Sequence, residues 1–322
     1  MKKSDLNSKW KNIFSARNKK GYKVLRISSK CRPDLFLAID GDGYRCLLLY
    51  LTKDVDVSIK RNNKDKLLLS YLPDKRILLI KLKDFEFIDL FDDLILSIFS
   101  KINFIHDIKI ASEKFTTTFY KWSLFFEDSH VDKLSEEQIQ GLFGELFVLS
   151  DFLKDSTPST VNSILNSWKG LYDSKNDFEF EFKNVEVKTK KESKLFVKIS
   201  SEHQLDKEDD KDLELMIVSI RIDLLNGRSI HDITLEIIES IRKNLGDLLI
   251  LYQALNQKKL TITNLKQYDN HRYIVVKTEL FDAANDDFPK LSISNIHNEI
   301  SNLKYQLRVN RLDDFLKEQI KY

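Results

Sequence analysis

Residues 177–188 read Asp-Phe-Glu-Phe-Glu-Phe-Lys-Asn-Val-Glu-Val-Lys, charged and apolar side chains alternating on either side of a short break at Lys183-Asn184. Period-two alternation is the pattern of strands with one apolar and one charged face, so the segment predicts a β-hairpin. Side chains two apart share a face, which puts Glu186 beside Lys188 on one strand and Asp177, Glu179 and Glu181 together on the other. A two-residue turn at the break would set Glu181 opposite Glu186 and Glu179 opposite Lys188. Clustered carboxylates repel unless something positive neutralises them, and a divalent ion with oxygen ligands is the usual partner. Mg²⁺ takes one or two carboxylates and completes its octahedron with water and phosphate oxygens. A neighbouring lysine could then hold or deprotonate an attacking water while the metal stabilises charge on a phosphate, which is the chemistry of phosphodiester hydrolysis. The plain alternative is a solvated strand face whose cross-strand ion pairs contribute little.

Such a hairpin needs neighbours to hold it. Ser135-Glu136-Glu137-Gln138 is a capping box, in which the serine hydroxyl satisfies a first-turn amide and the glutamine reaches back, so a helix starts there. Along it Ile139, Leu142, Phe143, Leu146, Phe147 and Leu149 form an apolar stripe, and Glu145 falls on its border beside Gly141 and Gly144. Taken alone, Glu145 reads equally as a helix-edge acid paired with a lysine, and Trp168 as a packing tryptophan. Leu195 to Ile199 and Leu213 to Ile222 are expected as further strands of the hairpin's sheet, the second continuous enough to be central. A charged loop, Asp206 to Asp212, separates them. An amphipathic helix is expected over 231–245, a strand over Tyr273 to Phe281, and a closing amphipathic helix around Leu312 to Ile320.

The first third differs. Residues 22–82 carry short apolar runs punctuated at Arg32-Pro33, Gly41-Asp42-Gly43 and Pro73-Asp74, the pattern of a mostly antiparallel β domain. Gly41-Asp42-Gly43 lacks the surroundings of a phosphate loop and reads as a hairpin turn. Ile88, Phe91, Leu94, Ile95, Ile98 and Phe99 recur at helical spacing after it. No Pro/Gly/Ser linker marks the boundary, which is placed near residue 110: an N-terminal β-rich domain with a basic leader over 1–110, and a second domain with a C-terminal helical and strand extension over 111–322.

With 322 residues, 42% hydrophobic and 32% charged, the chain can bury a substantial core. Lys plus Arg number 52 against 50 Asp plus Glu, so net charge alone announces no nucleic-acid partner. Residues 1–30 hold ten Lys/Arg and one acid, Asp5, which reads as a solvated basic leader with phosphate contact as its alternative. Lys190, Lys191, Lys194 and Lys198 divide evenly between phosphate contact and an exposed basic edge. Cys31 and Cys46 have no metal-ligand spacing and the six histidines lie scattered, so neither a disulfide framework nor a zinc site is indicated. No apolar run approaches the length of a bilayer span and no signal peptide is recognisable, giving a cytoplasmic expectation with no membrane partner.

Taken in order, Gly141-Leu142-Phe143-Gly144-Glu145-Leu146, Trp168-Lys169-Gly170, Asn176-Asp177-Phe178 and Val185-Glu186-Val187-Lys188-Thr189 resemble the PD-(D/E)xK nuclease superfamily, and more narrowly the prokaryotic family named only for that motif. The motifs cover roughly residues 130–225. The resemblance implies a restriction-endonuclease-like α/β (α+β) fold, a mixed sheet flanked by helices. It implies Asp177 and Glu186 as metal ligands for Mg²⁺, with Mn²⁺ a substitute, Lys188 as the water-positioning lysine and Glu145 as the helical acid near the metal. Gln204, just after the third strand, is its substrate or water contact; Lys190 is a second candidate contact on electrostatic grounds alone. The departure is Asn176, standing where the motif has proline, which leaves Glu179 as a rival first acid. The implied activity is a metal-dependent endonuclease cutting DNA in a prokaryotic restriction or anti-phage defence system. Its partners would be DNA and further subunits such as an ATPase or a methyltransferase, with a homodimer as another assembly. The competing readings are a nuclease-fold DNA-binding or assembly subunit without turnover, and a nuclease directed at RNA or branched DNA.

Overall fold

The computed structural model describes every residue except 16–20, 54, 56–61, 128–132, 173 and 209. These residues form two compact units, Met1–Ser129 and His130–Tyr322. The division falls beyond the expected boundary near residue 110, because the helix that spans that position packs backwards onto its predecessor.

In the first unit, α1 (Lys3–Ser15) precedes β1 (Lys23–Arg26), β2 (Leu35–Ile39), β3 (Arg45–Tyr50), β4 (Asn62–Asn63), β5 (Leu67–Leu72) and β6 (Ile77–Leu82), followed by α2 (Ile88–Ile102) and α3 (Ile108–Ser123). The strands make one antiparallel sheet in the order β1-β2-β3-β6-β5-β4, with Gly41-Asp42-Gly43 turning between β2 and β3. The first half of the basic leader forms the amphipathic α1, anchored by its apolar side: Leu6, Trp10 and Ile13 are buried, and the Trp10 indole donates to Asp92 at 2.9 Å. Arg17, Lys19 and Lys20 of that leader lie outside the described residues. The Trp122 indole of α3 donates to Ser97 Oγ of α2 at 3.2 Å, which holds α3 in this unit. Cys31 and Cys46 are both buried free thiols.

The second unit opens with α4 (Glu136–Lys154), whose capping box forms as expected, Ser135 Oγ accepting from the Gln138 amide at 3.3 Å. Then come α5 (Val161–Ser167), β7 (Phe178–Glu179), β8 (Lys183–Lys191), β9 (Phe196–Ile199), β10 (Asp212–Ile222), α6 (Ile230–Lys243), α7 (Leu248–Gln257), α8 (Ile262–Leu265), β11 (Tyr273–Asp282), β12 (Tyr305–Arg308) and β13 (Leu316–Lys321). The main sheet runs β13-β11-β10-β8-β7 and is mixed, with β8 and β10 parallel and the other pairs antiparallel. β10 is its central strand and is buried along most of its length, as its continuous apolar run demands. Asp209, in the charged loop before it, lies outside the described residues.

Three expectations are corrected. Leu195–Ile199 does not join the main sheet: β9 pairs with β12 in a separate two-stranded ribbon. The closing helix expected at Leu312–Ile320 is the edge strand β13, because the free edge of β11 accepts it along Lys277–Phe281. The hairpin turns two residues earlier than expected. The Phe180 amide donates to the Lys183 carbonyl at 2.9 Å, Lys183 and Asn184 belong to β8, and the register pairs Phe178 with Val185 and Glu179 with Asn184. Continuing it by one residue brings Asp177, rather than Glu181, to Glu186.

The sheet's two faces have different work. Thr189, on the face shared with Val185 and Val187, meets α4 at Gly144, where an added Cβ would lie 1.9 Å from Thr189 Oγ1; the helix can lie this close only because residue 144 has no side chain. The opposite face carries Asn184, Glu186, Lys188 and Lys190. There Leu213, Leu215, Ile217 and Phe281 pack against Val197, Ile199, Leu205 and Leu307 in one apolar cluster.

Candidate active site

Four charged side chains converge where β8 leaves the hairpin: Glu145 from α4, Asp177 from the entry to β7, and Glu186 and Lys188 from β8. Strand alternation brings the last two together, and Lys188 Nζ lies 2.6 Å from Glu186 Oε1. Asp177 is fixed from three directions. Its Oδ2 accepts the Val187 amide at 2.8 Å, and its carbonyl accepts the amides of Lys169 at 2.7 Å and Gly170 at 3.1 Å. Its Oδ1 faces Gly170 and Glu145. Glu145 Oε2 accepts from the indole of Trp168, itself 2% exposed, at 2.9 Å.

Burial is the largest influence on all three acids, and it raises each above its ordinary range. The Asp177 charge pushes Glu145 and Glu186 further in the same direction, Glu186 to about 8. For Lys188 burial works the other way, but the charges of Glu186 and Asp177 and the hydrogen bond to Glu186 outweigh it and hold the ammonium more firmly protonated than usual. Every group thus binds protons unusually tightly. Three buried acids around one ammonium are short of positive charge.

The space around them is shaped to match. A Cβ on Gly170 would lie 2.2 Å from Glu145 Oε2 and 2.9 Å from Asp177 Oδ1, so the bare Cα leaves a small volume lined by two carboxylate oxygens. Asn176, 1% exposed, extends Nδ2 to the Gln204 carbonyl at 2.8 Å and to Glu186 Oε2 at 3.4 Å, while its own Oδ1 is buried without a partner. Among the described residues no three His, Cys, Asp or Glu side chains form a ready-made ligand shell. The donor set is therefore carboxylate oxygen in small number, beside an unsatisfied amide oxygen. It fits a hard cation that keeps water or substrate oxygens, and not a closed structural zinc site.

The other candidates lie differently. Glu179 pairs with Asn184 in register and its carboxylate accepts from the Ser174 hydroxyl, so it is engaged away from Glu186. Gln204 Oε1 accepts the Ser200 amide at 2.9 Å, closing its own loop, and the residue meets the site through its carbonyl on Asn176. Lys190 shares the face of Lys188 but is buried, and its Nζ donates to the Lys194 carbonyl at 2.8 Å; burial lowers its proton affinity. Lys191 is paired with Glu136 at 3.1 Å. Three participants were not legible as such: Trp168, which orients Glu145; Gly170, which keeps the oxygen-lined space open; and Asn176, which ties Glu186 to the Gln204 loop. The signal for the first two was their adjacency in Trp168-Lys169-Gly170. For Asn176 it was the exchange of a proline for a side chain able to hydrogen-bond.

Comparison with known proteins gives one match, to the family described provisionally as a PD-(D/E)XK family member, DUF4420, whose model covers residues 6–310. The chain belongs to the DUF4420 family. This agrees with the order of the motifs and with a mixed sheet flanked by helices, and it places the chain among nuclease-like PD-(D/E)XK proteins. The DUF4420 model spans both compact units, so the family is defined by the β-rich unit together with the site-bearing one. No curated protein and no solved structure matches the chain. Among the described residues no helix is long and apolar enough to cross a membrane.

Proposed function

We propose that this protein is a Mg²⁺-dependent endonuclease that hydrolyses DNA phosphodiester bonds within a prokaryotic restriction or anti-phage defence system. The observation that carries the reading is the buried set of Glu145, Asp177 and Glu186 around Lys188, three carboxyl groups that ionise there only at a cost, a cost that a cation would relieve. Asp177 and Glu186 would hold Mg²⁺, or Mn²⁺ in its place. Bound there, such an ion would supply electrostatic stabilisation of charge developing on a phosphate. Lys188 Nζ, already charged and held at Glu186 Oε1, would donate to a water oxygen and orient it for attack on phosphorus; as the new P–O bond forms the bond to the leaving oxygen breaks, and the water's proton ends on that oxygen. Glu145, held by the Trp168 indole, closes the far side of the cluster next to Asp177. Asn176 and the Val187 amide prevent Glu186 and Asp177 from swinging away.

The defence setting and the partner subunits, an ATPase or a methyltransferase, follow from the family's association and not from any side chain described above. Purified protein incubated with methylated and unmethylated duplex DNA and Mg²⁺, with and without the products of neighbouring genes, tests both levels. Cleavage that needs Mg²⁺ and disappears in Glu186→Ala and Lys188→Ala is expected. Cleavage that persists unchanged in both variants would overturn the assignment of the site.

A further inference from the structure

We infer that the β9–β12 ribbon is the surface along which duplex DNA lies to reach the Glu186–Lys188 site, an inference that rests on the nuclease reading above. In β9, Val197 and Ile199 enter the apolar cluster, which leaves Phe196 and Lys198 outward; in β12, Leu307 enters it and leaves Gln306 and Arg308 outward. The register sets Lys198 opposite Gln306 and Phe196 opposite Arg308. Exposed Lys194 continues this face at one end, its ammonium 6.0 Å from the centre of the Phe196 ring, and exposed Lys304 continues it at the other.

This face differs from its surroundings. Lys183, Lys191 and Lys317 on the neighbouring strands are paired with Glu214, Glu136 and Glu214 respectively. Among the described residues, Lys194, Lys198, Lys304 and Arg308 have no acidic partner. Four cations without an acidic partner along one ribbon, with the Phe196 ring between Lys194 and Arg308, stand out in a chain whose charges nearly cancel. Outward residues on a strand repeat about every 6.7 Å, so the cations form a row. A row on an open face suits an extended polyanion, whose condensed counterions are released on contact. A two-stranded ribbon is also an element that the wide groove of B-form DNA admits and the narrow major groove of A-form RNA does not.

The ribbon is joined to the site by its own chain. β9 runs directly into the Ser200–Gln204 loop, and the Gln204 carbonyl of that loop accepts from Asn176, whose amide also reaches Glu186. A strand lying on the ribbon is thereby registered against the carboxylate cluster.

The test is fluorescence anisotropy of a labelled DNA duplex with the full chain in chelator, so that binding is read without cleavage, over a series of salt concentrations. Lys198→Ala/Arg308→Ala is expected to bind at least about tenfold more weakly, with a salt dependence shallower by roughly two phosphate contacts. Its unfolding midpoint should match that of the parent, and Lys198→Arg should bind like it. Unchanged affinity and slope in the double variant, no duplex binding by the parent protein, or preference for an RNA duplex of the same sequence would each overturn the inference. The two readings fail separately. A parent protein that binds through the ribbon but does not cut with Mg²⁺ loses the nuclease function alone, and one that cuts with the ribbon substituted and undisturbed loses the ribbon alone.

Discussion

Glu186 is the residue on which the site turns, and its environment dictates how it should respond to pH. Burial first, and then the Asp177 charge, raise its proton affinity from an ordinary value of 4.5 to about 8. A group that binds its proton more tightly folded than unfolded adds stability that is full below its unfolded pKa and is lost as pH rises through the folded one. Metal-free protein should therefore lose thermal stability between about pH 4.5 and about pH 8, and Glu186→Gln should flatten that decline, as read by unfolding midpoints in chelator across the range. Gly170→Ala makes a second prediction. Its Cβ would sit 2.2 Å from Glu145 Oε2, and the atom displaced is the far end of a flexible side chain, so the variant should fold but lose the rise in unfolding midpoint that Mg²⁺ gives the parent. Trp168→Phe deletes only the indole donor to Glu145 and should weaken divalent-cation affinity on the order of 10- to 100-fold by calorimetry. A purely structural role for either residue would instead lower the metal-free midpoint and leave the metal-induced shift intact.

At the scale of elements, the contact between α4 and β8 is the one most sensitive to volume. Gly144→Ala would place a Cβ 1.9 Å from Thr189 Oγ1 and 3.1 Å from its Cβ, and a β-branched residue inside a paired strand has little freedom to move aside. A loss of about 1–3 kcal/mol is expected in denaturant unfolding, with Thr189→Gly in the same chain restoring part of it. The elements that were legible beforehand were those with strong local signals: the Ser135 capping box, the alternation of Val185 to Thr189, the apolar run of β10 and the glycine turn at residue 41. What escaped was decided by partners distant in sequence. Leu316–Lys321 contains good helix formers, yet the edge of β11 makes it a strand. The ribbon of β9 and β12 joins segments about a hundred residues apart. The hairpin register hinged on a turn at residues 181–182 instead of 183–184, a shift that exchanges which acid faces Glu186. Glu186 and Lys188 were safe from that shift because they sit on one strand. In the sequence only resemblance favours Asp177 over Glu179; in the structure Asp177 Oδ2 accepts from the Val187 amide of the strand that carries Glu186.

For the whole molecule, a β-rich unit and a site-bearing unit are carried by one chain and fall under one family model. The site, its positioning residues and the basic ribbon all belong to the second unit, between His130 and Tyr322. The proposed turnover and the proposed DNA contact thus both fall to that unit, with Asp177, Glu186 and Lys188 proposed as its Mg²⁺-dependent phosphodiesterase centre. The most direct measurement is the rate of duplex DNA cleavage by the purified full chain, together with any partner subunits, at saturating Mg²⁺, compared with Lys188→Ala and Asp177→Asn under the same conditions. Mg²⁺-dependent cutting that falls on the order of 100-fold or more in each variant is expected; equal rates in parent and variants would contradict the proposed centre.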